Sequence, residues 1–341
     1  MQRLTVERLD EILERARGIR VLVVGDIMLD RYLRGTASRI SPEAPVPVVR
    51  ISDEWRALGG AANVAANVVA LGASCTIAGC VGTDPEGDAV RAELRGRGVD
   101  DSGVLELNDR PTTVKTRIMA RHHQIARYDR EVEEDLDGEE LAAFVESLER
   151  LSGQCEAIVL EDYNKGVLSL PVVRSVIAAA GRRRIPVVVD PKTRGFFSYA
   201  GATVFKPNLV ELEAALQSRA RPDDPAWMEQ ARERLACDQL LLTLGEEGVA
   251  LRTMAGEYVR IPAVARAVFD VSGAGDTVTA AMAVALSAGA SPAEAAVLAN
   301  HAAALEVAKP GVATVTAAEL RVAVRDFMRE FRSEVGGTSR E

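Results

Sequence analysis

Aromatic side chains are scarce in this sequence: Phe, Trp and Tyr make up 4% of its 341 residues, although 48% of the residues are hydrophobic. A core of this composition has to be built from Ala, Val, Leu and Ile, and so apolar a chain is not disordered. The length suffices for one large α/β domain or two smaller ones. Because we find no internal repeat and no interdomain linker, we predict a single domain over residues 1–332 and a disordered tail over 333–341.

Histidine and cysteine are also rare. Three histidines in the whole chain argue against a zinc site, and the four cysteines show no Cys-x-x-Cys spacing. Small or apolar neighbours surround Cys75, Cys80, Cys155 and Cys237. These four residues are therefore predicted to be buried free thiols.

Neither an excess of positive charge nor a long hydrophobic run is present. The 41 basic and 50 acidic residues give a net charge of −9, which argues against a nucleic-acid partner. The N-terminal residues alternate in charge and lack the apolar segment of a signal peptide. The longest apolar stretch, residues 278–286, is too short to span a bilayer. We therefore expect a cytoplasmic protein with no membrane partner.

Two common nucleotide-binding signatures are missing: Gly-x-x-x-x-Gly-Lys-Ser/Thr, and Gly-x-Gly-x-x-Gly after the first strand. The candidate phosphate site is Asp270–Thr277, which reads Asp-Val-Ser-Gly-Ala-Gly-Asp-Thr and precedes an Ala-rich helical run. Gly273 and Gly275 allow a tight turn around Ala274, so that free amides meet the positive end of the helix dipole. This geometry predicts an anion site.

A carboxylate inside an anion site needs an explanation. The position of Asp276 is explained if this side chain removes a proton from a hydroxyl group that attacks the bound phosphate. Taken alone, Gly-Ala-Gly-Asp is equally typical of an ordinary helix N-cap, so the interpretation depends on the other motifs. With them, the segment predicts a phosphoryl-transfer centre.

Short apolar strands alternate with helical segments along the chain. Strands are predicted at 20–25, 75–78, 157–160, 186–189, 203–205 and 240–243, and helices at 4–17, 61–71, 86–95, 139–151, 170–180 and from Ser291 to about Lys309. This alternation predicts an α/β fold with a parallel sheet covered on both faces.

Two segments interrupt this alternation, at about residues 32–58 and 110–130. The first contains three prolines, which argue against a central strand, and the second has the apolar–polar alternation of a hairpin with one exposed face. Both come early in the α/β pattern. We expect them to form a small β lid over the ligand edge of the sheet.

Polar residues at the predicted ligand edge are further candidates. Gly59 and Gly60 bring the backbone close to a ligand, and Asn63 in the following helical turn offers a donor and an acceptor. Asp30 lies just beyond the first strand, where open α/β sheets bind ligands. Close helix packing and a solvated loop carboxylate are the alternative explanations.

Two later turns have the same ambiguity. Asn208 and Glu211 follow a strand and either form a helix capping box or hold Mg²⁺ with its waters near a triphosphate. Thr243, Gly245 and Gly248 lie in a loop that either approaches a nucleotide or is a plain hairpin turn.

In this order, the motifs resemble the ribokinase-like sugar kinases (the PfkB family) over about residues 20–330. The resemblance implies a ribokinase-like α/β fold: a mostly parallel central sheet, helices on both faces and a small β-sheet lid. It implies Asp276 as the base, the amides of Gly273, Ala274 and Gly275 as the anion hole, and ATP with Mg²⁺ as cofactors. It further places Asp30, Gly59, Gly60 and Asn63 on the sugar, Asn208 and Glu211 near Mg²⁺, and Thr243, Gly245, Gly248 and Asn300 near the nucleotide.

The same resemblance implies a monovalent-cation site and a dimer. Asp270 and the Ser272 carbonyl, with Gly311 and Thr314, would bind an activating ion such as K⁺. The lid of this family often mediates dimerisation, so we expect a homodimer formed through the lid.

A narrower resemblance concerns residues 24–32, 39–48, 162–166 and 189–192, which are similar to the heptose 7-phosphate kinases of lipopolysaccharide precursor synthesis. These enzymes phosphorylate the C1 hydroxyl of a heptose that already carries a phosphate at C7. The second phosphate needs cations, and the available ones are Arg39, Lys115, Arg117, Lys165 and Lys192. Solvated surface positions are the alternative for each. Asp162 is a further candidate for sugar binding.

Departures from the pattern limit this interpretation. The bifunctional members add a nucleotidyltransferase domain with a His-x-Gly-His signature, which is absent here, so we expect only the kinase step. Lid residues 121–129 and Glu161 also differ from the pattern. Two alternatives stay open: a kinase of another sugar or sugar phosphate (fructokinase-, ribokinase- or phosphofructokinase-like), and a catalytically silent nucleotide- or sugar-binding regulator on the same scaffold.

Overall fold

A computed structural model describes residues 4–337 of the chain, apart from His122 and Arg266. The strands are β1 (Arg20–Gly25), β2 (Ile27–Ile40), β3 (Pro47–Gly60), β4 (Ser74–Gly82), β5 (Asp100–Leu107), β6 (Thr113–Ala120), β7 (His123–Arg130), β8 (Ala157–Glu161), β9 (Val187–Asp190), β10 (Val204–Phe205), β11 (Gln239–Thr243), β12 (Val249–Thr253) and β13 (Tyr258–Ile261). The helices are α1 (Val6–Ala16), α2 (Ala61–Ala70), α3 (Pro85–Gly96), α4 (Gly138–Ser152), α5 (Leu170–Arg183), α6 (Leu209–Leu216), α7 (Pro225–Leu235), α8 (Ala274–Ser287), α9 (Pro292–Glu306) and α10 (Ala317–Gly337).

The main sheet has the strand order β13-β12-β11-β10-β9-β8-β1-β4-β5. All neighbours from β5 to β11 are parallel, and β12 and β13 extend the sheet as antiparallel strands. The predicted parallel sheet is confirmed. Because parallel strands carry their carboxyl ends to one edge, residues that follow separate strands meet there.

Helices cover both faces of this sheet. Alternate residues of β1 enter opposite cores: Val21 and Val23 pack with α2, α8 and α9, whereas Leu22 and Val24 pack with α4 and α5. All residues of β8 and β9 are buried. Burial on both faces explains why these strands appear in the sequence as short continuous apolar runs.

A second sheet of order β3-β2-β6-β7 forms the predicted lid. Strand β2 pairs antiparallel with β3 and parallel with β6, and β6 and β7 form the predicted hairpin. The lid starts at Ile27, earlier than expected, because residues 27–29 are apolar and buried and continue the apolar character of β1. The prediction that the prolines exclude a central strand is wrong for residues 34–40. These residues belong to β2, which is an inner strand of the lid sheet. The three prolines lie after β2 or at the first residue of β3.

The helix ends follow local sequence rules. Ser291 and Glu294 form the predicted capping box of α9, which ends at Glu306 and not at Lys309. Helix α10 extends through Gly337, past the predicted boundary at residue 332, because no glycine or proline interrupts residues 317–335. The other predicted tail residues, 338–341, lie outside the described part.

Two predictions about side chains and hydropathy can be compared with the structure. Cys75, Cys80, Cys155 and Cys237 are buried and free, as predicted. Among the described residues, none of the helices combines the length and the apolar character needed to cross a bilayer.

Strands β1 and β8 approach each other closely at the ligand edge. Gly25 pairs with Glu161, and a Cβ atom built on Gly25 would lie 2.1 Å from the Glu161 carbonyl oxygen. Only glycine leaves space for this contact. The carbonyl of Glu161 then accepts the Asp26 amide at 3.1 Å, where the chain leaves β1 for the lid.

We predict that Gly25→Ala lowers the free energy of unfolding by about 1–3 kcal/mol, because the added methyl group forces β1 and β8 apart. Thermal denaturation followed by circular dichroism measures this effect. Gly96→Ala is the matched control: Gly96 ends α3 with open space around its Cα, so alanine there leaves the melting temperature unchanged or slightly raised. Equal melting temperatures for Gly25→Ala and the wild type would contradict the steric argument.

Candidate active site

The predicted anion site is a turn followed by the buried helix α8. Gly273 is the N-cap residue with φ of 93°, and a Cβ there would lie 2.9 Å from Asn63 Nδ2. Both observations require glycine. The first turn of α8 therefore presents backbone amides that have no partner within the helix.

Asp276 lies in that first turn and is 4% exposed. Its Oδ2 accepts a hydrogen bond from Asn63 Nδ2 at 2.8 Å, and its Oδ1 accepts one from the Tyr163 hydroxyl at 2.9 Å. Burial and the charge of Asp190 raise the pKa of Asp276 to about 6, whereas the two hydrogen bonds oppose this shift. A carboxylate with this pKa can accept a proton near neutral pH.

Two further carboxylates lie beside Asp276. Oxygen atoms of Glu161, Asp190 and Asp276 all lie within 4.8 Å of one another, and all three side chains are buried. Lys206 Nζ contacts Asp190 Oδ2 at 2.9 Å. Burial and the neighbouring Asp190 charge raise the pKa of Glu161 well above its ordinary value.

A cavity of about 730 Å³ opens in front of this turn. It brings together the anion-site residues 273–276 and all the residues predicted to contact nucleotide or Mg²⁺: Asn208, Glu211, Thr243, Gly245, Gly248 and Asn300. Its wall also includes Tyr163, Lys192 and the apolar side chains of Val249, Val264 and Val268. The cavity therefore combines a polar end at α8 with an apolar wall.

Asn208 and Glu211 form the capping box of α6, which was one of their two interpretations. The Glu211 carboxylate accepts the Asn208 amide at 2.9 Å and contacts Lys192 Nζ at 2.5 Å. Burial opposes the charge on Lys192, but Asp190 and Glu211 outweigh it and raise the pKa of this ammonium. The cap does not exclude the other interpretation, because Asn208 and Glu211 also line the cavity.

The loop after β11 is the hairpin turn between β11 and β12. Gly245 begins a short 3₁₀ turn with φ of 60°, and Gly248 has φ of 90° with the Ile261 carbonyl against its Cα. Thr243 forms a parallel bridge with Asn208. The turn also lines the cavity, so the confirmed hairpin does not exclude an approach to a nucleotide.

The predicted sugar-binding residues meet at the base of the lid. Asp30 in β2 is 6% exposed, which excludes a solvated loop carboxylate. A Cβ on Gly59 would lie 2.8 Å from Asp30 Oδ2, and Gly60 is the N-cap residue of α2 with φ of 54°. Helix α2 in turn carries Asn63, which contacts Asp276. These residues therefore connect the lid to the anion site.

The predicted cations of the lid are paired with carboxylates. Arg117 contacts Asp30. Lys115 Nζ lies 3.3 Å from Glu131, and Lys165 Nζ lies 2.9 Å from the same carboxylate. Arg39 is exposed near the outer end of β2 and is not brought together with them.

Asp162 does not face the cavity. Its carboxylate accepts hydrogen bonds from the Tyr199 hydroxyl and the Asn164 amide, both at 2.7 Å. Burial and the charge of Asp26 raise the pKa of Asp162 to about 6. These contacts hold the loop after β8, which carries Tyr163.

Asp26 supports the same loop and was not predicted. This buried carboxylate accepts the amides of Tyr163 at 2.7 Å, Lys165 at 3.0 Å and Val167 at 3.2 Å. The position of Asp26 directly after β1 could have identified it. Asp190, which follows the valines of β9, and Lys206, which follows β10, could have been identified in the same way. Carboxyl ends of neighbouring parallel strands meet at one edge.

The residues predicted to bind a monovalent cation lie on two adjoining loops. The Phe269 amide donates to the Val307 carbonyl at 2.7 Å and links these loops. Asp270 Oδ1 accepts the Ser272 amide at 2.9 Å, and the Thr314 carbonyl accepts Lys309 Nζ at 2.8 Å. Gly311, with φ of 69°, forms a turn between Lys309 and Thr314.

Glu306, at the end of α9, is another buried carboxylate that sequence reasoning missed. It lies close to the anion-site turn, because a Cβ on Gly273 would be 3.2 Å from Glu306 Oε1. Burial raises the pKa of Glu306 to about 8. The helical pattern around it gave no signal, since Glu306 occupies an ordinary position between apolar residues.

Comparison with known proteins identifies relatives over most of the chain. Residues 19–318 match the pfkB family carbohydrate kinases. The "Bifunctional protein HldE" of Trichlorobacter lovleyi is 44% identical over 330 residues, which cover 96% of this chain and 67% of that protein. The protein of the same name from Azorhizobium caulinodans is 45% identical over 306 residues, which cover 89% and 64%. The chain thus spans about two thirds of the length of these curated relatives.

Solved structures share the fold at low identity. Arabidopsis thaliana ribokinase, complexed with ribose and ATP, is 21% identical with a TM-score of 0.72, and the match covers 90% of this chain and 99% of that one. Phosphofructokinase-2 from Escherichia coli, in complex with substrates and products, is 18% identical with a TM-score of 0.76 and the same coverage. The family match and the shared ribokinase-like α/β fold lead to one conclusion: this chain belongs to the pfkB family of carbohydrate kinases.

Proposed function

We propose that this sugar kinase uses ATP to phosphorylate the C1 hydroxyl of D-glycero-D-manno-heptose 7-phosphate, giving the 1,7-bisphosphate. The observation that carries the proposal is the buried Asp276 carboxylate at the start of α8, between the cavity and the base of the lid. The heptose is supported by the similarity of residues 24–32, 39–48, 162–166 and 189–192 to heptose 7-phosphate kinases. The relatives named "Bifunctional protein HldE", two thirds of whose length the chain spans, are consistent with one of two activities residing here.

In the proposed reaction, Asp276 removes the proton from the acceptor hydroxyl as its oxygen attacks the γ-phosphate. Asn63 and Tyr163 hold the carboxylate in place through their hydrogen bonds. The amides around Gly273–Gly275 stabilise the charge that develops on the transferred group, and such donors are each worth about 3 kcal/mol in catalysis. Asp30, Gly59 and Gly60 would contact the sugar hydroxyls.

The nucleotide would occupy the cavity. Thr243, Gly245, Gly248 and Asn300 lie on its wall. Asn208 and Glu211 also line it, and their amide and carboxylate oxygens suit a hard cation, so this pair would hold Mg²⁺ through water. When bound, Mg²⁺ neutralises the charge of the phosphate groups.

A monovalent cation such as K⁺ would bind on the two loops behind the anion site. Oxygen atoms of Asp270, Ser272, Gly311 and Thr314 are suitable donors. Of these, the Thr314 carbonyl already accepts Lys309 Nζ, so Thr314 takes part only if this contact opens.

The second phosphate of the substrate would bind to cations near the base of the lid. Arg117 and Lys115 lie on β6, next to Asp30 on β2, and Lys192 lies on the cavity wall. In the structure Arg117 contacts Asp30, so the substrate phosphate would have to replace this carboxylate or share the guanidinium with it. Arg39 would join only through a movement of the outer lid.

Two copies of the chain would form a homodimer through the outer part of the lid, which is the end of the lid sheet around residues 40–51 and 125. Ile40, Val46, Ile51 and Ile125 are exposed there, although each is a large apolar side chain. A cavity of about 370 Å³ between Val46, Ile51 and Ile125 adds a concave surface. Burying such a patch against a second copy of the chain is favourable.

One observation favours a second candidate, a kinase of an unphosphorylated sugar. Lys115 contacts Glu131 and Asp129, and Lys165 contacts Glu131 and Glu133, so these two candidate phosphate ligands are already neutralised. An uncharged sugar needs no free cation at this position. A catalytically silent sugar-binding protein is less consistent with the site, because it has no use for the buried Asp276.

We expect ADP release with D-glycero-D-manno-heptose 7-phosphate in a panel that also contains free heptose, ribose, fructose and fructose 6-phosphate. A coupled ADP assay measures turnover, and phosphorus NMR of the product locates the new phosphate at C1. Turnover confined to unphosphorylated sugars would support the second candidate. Absence of ADP release with every acceptor would contradict the kinase proposal.

For Asp276→Asn we expect a fall in kcat of about 10²–10⁴-fold, because the variant lacks the general base. Binding of ATP, measured by calorimetry, should stay within a few-fold of the wild type, since Asn has nearly the shape of Asp and the other residues that line the cavity are unchanged. Near-normal turnover by this variant would contradict the assignment of the base.

For Tyr163→Phe we expect the acidic limb of the kcat/KM profile to move upward. The wild-type rate falls as the pH drops through about 6, where Asp276 takes up a proton. A hydrogen bond to a charged group is worth about 1.5–3 kcal/mol, so its loss raises this pKa by about 1–2 pH units. Tyr258→Phe is the matched control, because the Tyr258 hydroxyl donates to the Pro222 carbonyl and contacts neither Asp276 nor the loop after β8. Equal limbs in the two variants would contradict the role of Tyr163.

A further inference from the structure

The two faces of the lid sheet differ in their chemistry. Asp30, Tyr32 and Arg34 are alternate residues of β2 and therefore share one face of the sheet. The opposite face carries apolar side chains, among them Leu33 and Ile118, which line the small cavity in the outer part of the lid. Because Asp30 is a proposed sugar ligand, we call the face that it shares with Tyr32 the acceptor face.

Four side chains form a stack on the acceptor face. Tyr32 on β2 is the register partner of Trp55 on β3 and of Arg117 on β6, and these two strands flank β2. The rings of Tyr32 and Trp55 are parallel, with their centroids 4.9 Å apart. The guanidinium carbon of Arg117 lies 5.2 Å from the centre of the Tyr32 ring, and that of Arg34 lies 4.6 Å from the centre of the Trp55 ring. Aromatic stacking and cation–π contacts thus fix the orientation of the Tyr32 ring.

The hydroxyl of Tyr32 is left over by these contacts. The residue is 6% exposed, yet its hydroxyl has no hydrogen-bond partner among the described residues. Buried tyrosine hydroxyls normally have a partner, and the lack of one carries an energetic penalty. Since the stack covers the faces of the ring, the hydroxyl at its edge stays available. A buried donor that is rigidly held and unpartnered indicates a ligand oxygen at this position.

The surroundings of the hydroxyl indicate which oxygen it suits. Burial and the charge of Asp30 raise the pKa of Tyr32 to about 12, Asp270 adds to this shift, and Arg117 opposes it. The hydroxyl therefore stays protonated at neutral pH and lies between the lid and the loop before α8. Two carboxylates act on it, and the guanidinium of Arg117 is already paired with Asp30. This environment disfavours a phosphate oxygen and suits the neutral hydroxyl oxygen of a sugar.

We propose that the Tyr32 hydroxyl donates a hydrogen bond to a hydroxyl oxygen of the acceptor sugar beside Asp30, and that Trp55 is the positioning residue that holds the tyrosine ring for this contact. A sugar hydroxyl can donate to a carboxylate and accept from a phenol at the same time, so Asp30 and Tyr32 form a matched pair. The inference rests on the proposed function in one respect, the placement of the sugar at Asp30. It does not depend on whether that sugar also carries a phosphate.

The first test is Tyr32→Phe, which removes the hydroxyl and keeps the ring. Calorimetric titration of the nucleotide-free full chain should show about 3–10-fold weaker binding of D-glycero-D-manno-heptose 7-phosphate, because one hydrogen bond is lost. Free heptose should lose affinity by the same factor, since the contact is made to the sugar. In the ADP assay the KM for the acceptor should rise by this factor, while the KM for ATP stays at the wild-type value.

Thermal denaturation separates this role from a structural one. The hydroxyl of Tyr32 makes no contact within the described residues, so the melting temperature of Tyr32→Phe should equal or exceed that of the wild type. Tyr128→Phe is the matched control: Tyr128 is 51% exposed and pairs with Thr116, whose side chain lies on the face opposite to that of its neighbour Arg117. This control should bind every acceptor as the wild type does.

The second test addresses Trp55. Trp55→Ala removes the stacked partner of Tyr32 and should weaken acceptor binding about as much as Tyr32→Phe does. Trp55→Phe retains an aromatic ring against Tyr32 and should restore most of the affinity. The two substitutions together should leave the KM for ATP unchanged, which a general loss of folding would not do. If Trp55→Ala does not fold, Trp55→Leu takes its place in the comparison.

Three results would overturn the proposal. The first is equal acceptor binding by the wild type and Tyr32→Phe. The second is a loss of affinity confined to phosphorylated sugars, which would place the contact on the phosphate. The third is equally weak binding by Trp55→Phe and Trp55→Ala, which would contradict the stacking role of Trp55.

Failure of the proposed function is distinguishable from these results. It would appear as absent ADP release, or as turnover of ribose or fructose in place of the heptose phosphate. The calorimetric comparison uses no ATP and is made with whichever sugar of the panel the wild type binds. A wild type that binds none of these sugars would contradict both proposals.

Discussion

The site depends on burying the Asp276 carboxylate at the first turn of α8. Burial raises the pKa of Asp276 to about 6, and the positive end of the helix together with two hydrogen bonds keeps the carboxylate compatible with the interior. The hydrogen bonds come from α2 and from the loop after β8, so these elements have to meet at α8. Gly273 makes this possible, because a side chain there would collide with Asn63.

The loop after β8 is itself held by buried carboxylates. Asp26 accepts three of its amides, and Asp162 accepts a fourth together with the Tyr199 hydroxyl. These two residues thus position Tyr163 without facing the cavity. The concentration of acidic groups follows from topology, since the parallel strands β1, β8 and β9 all end at the same edge. The same topology explains why Lys206, after β10, is available to balance part of the charge.

Under the proposed function, the lid determines a different property, the choice of acceptor. Its base carries Asp30, Arg117 and Lys115 on neighbouring strands, and each cation there contacts a carboxylate. The side chains of these pairs are largely buried, so a phosphate that binds here has to compete with the carboxylates for the cations. Under the proposed function, the reaction type depends on the groups around the first turn of α8, whereas the identity of the sugar depends on the paired charges of the lid.

The sequence by itself determined the parallel sheet, the lid segments and the anion-site turn, because these follow from local periodicity, glycine positions and short motifs. It did not reveal Asp26, Asp190, Lys206 or Glu306, and it indicated Glu161 only as an unusual residue. The roles of these residues come from contacts between segments far apart in the chain. Only the tertiary structure decided that Asp162 supports a loop, that Lys115 is neutralised, and that the buried Glu161 carboxylate lacks a hydrogen-bond partner among the described residues. The reason is that burial and charge pairing depend on neighbours that no local pattern specifies.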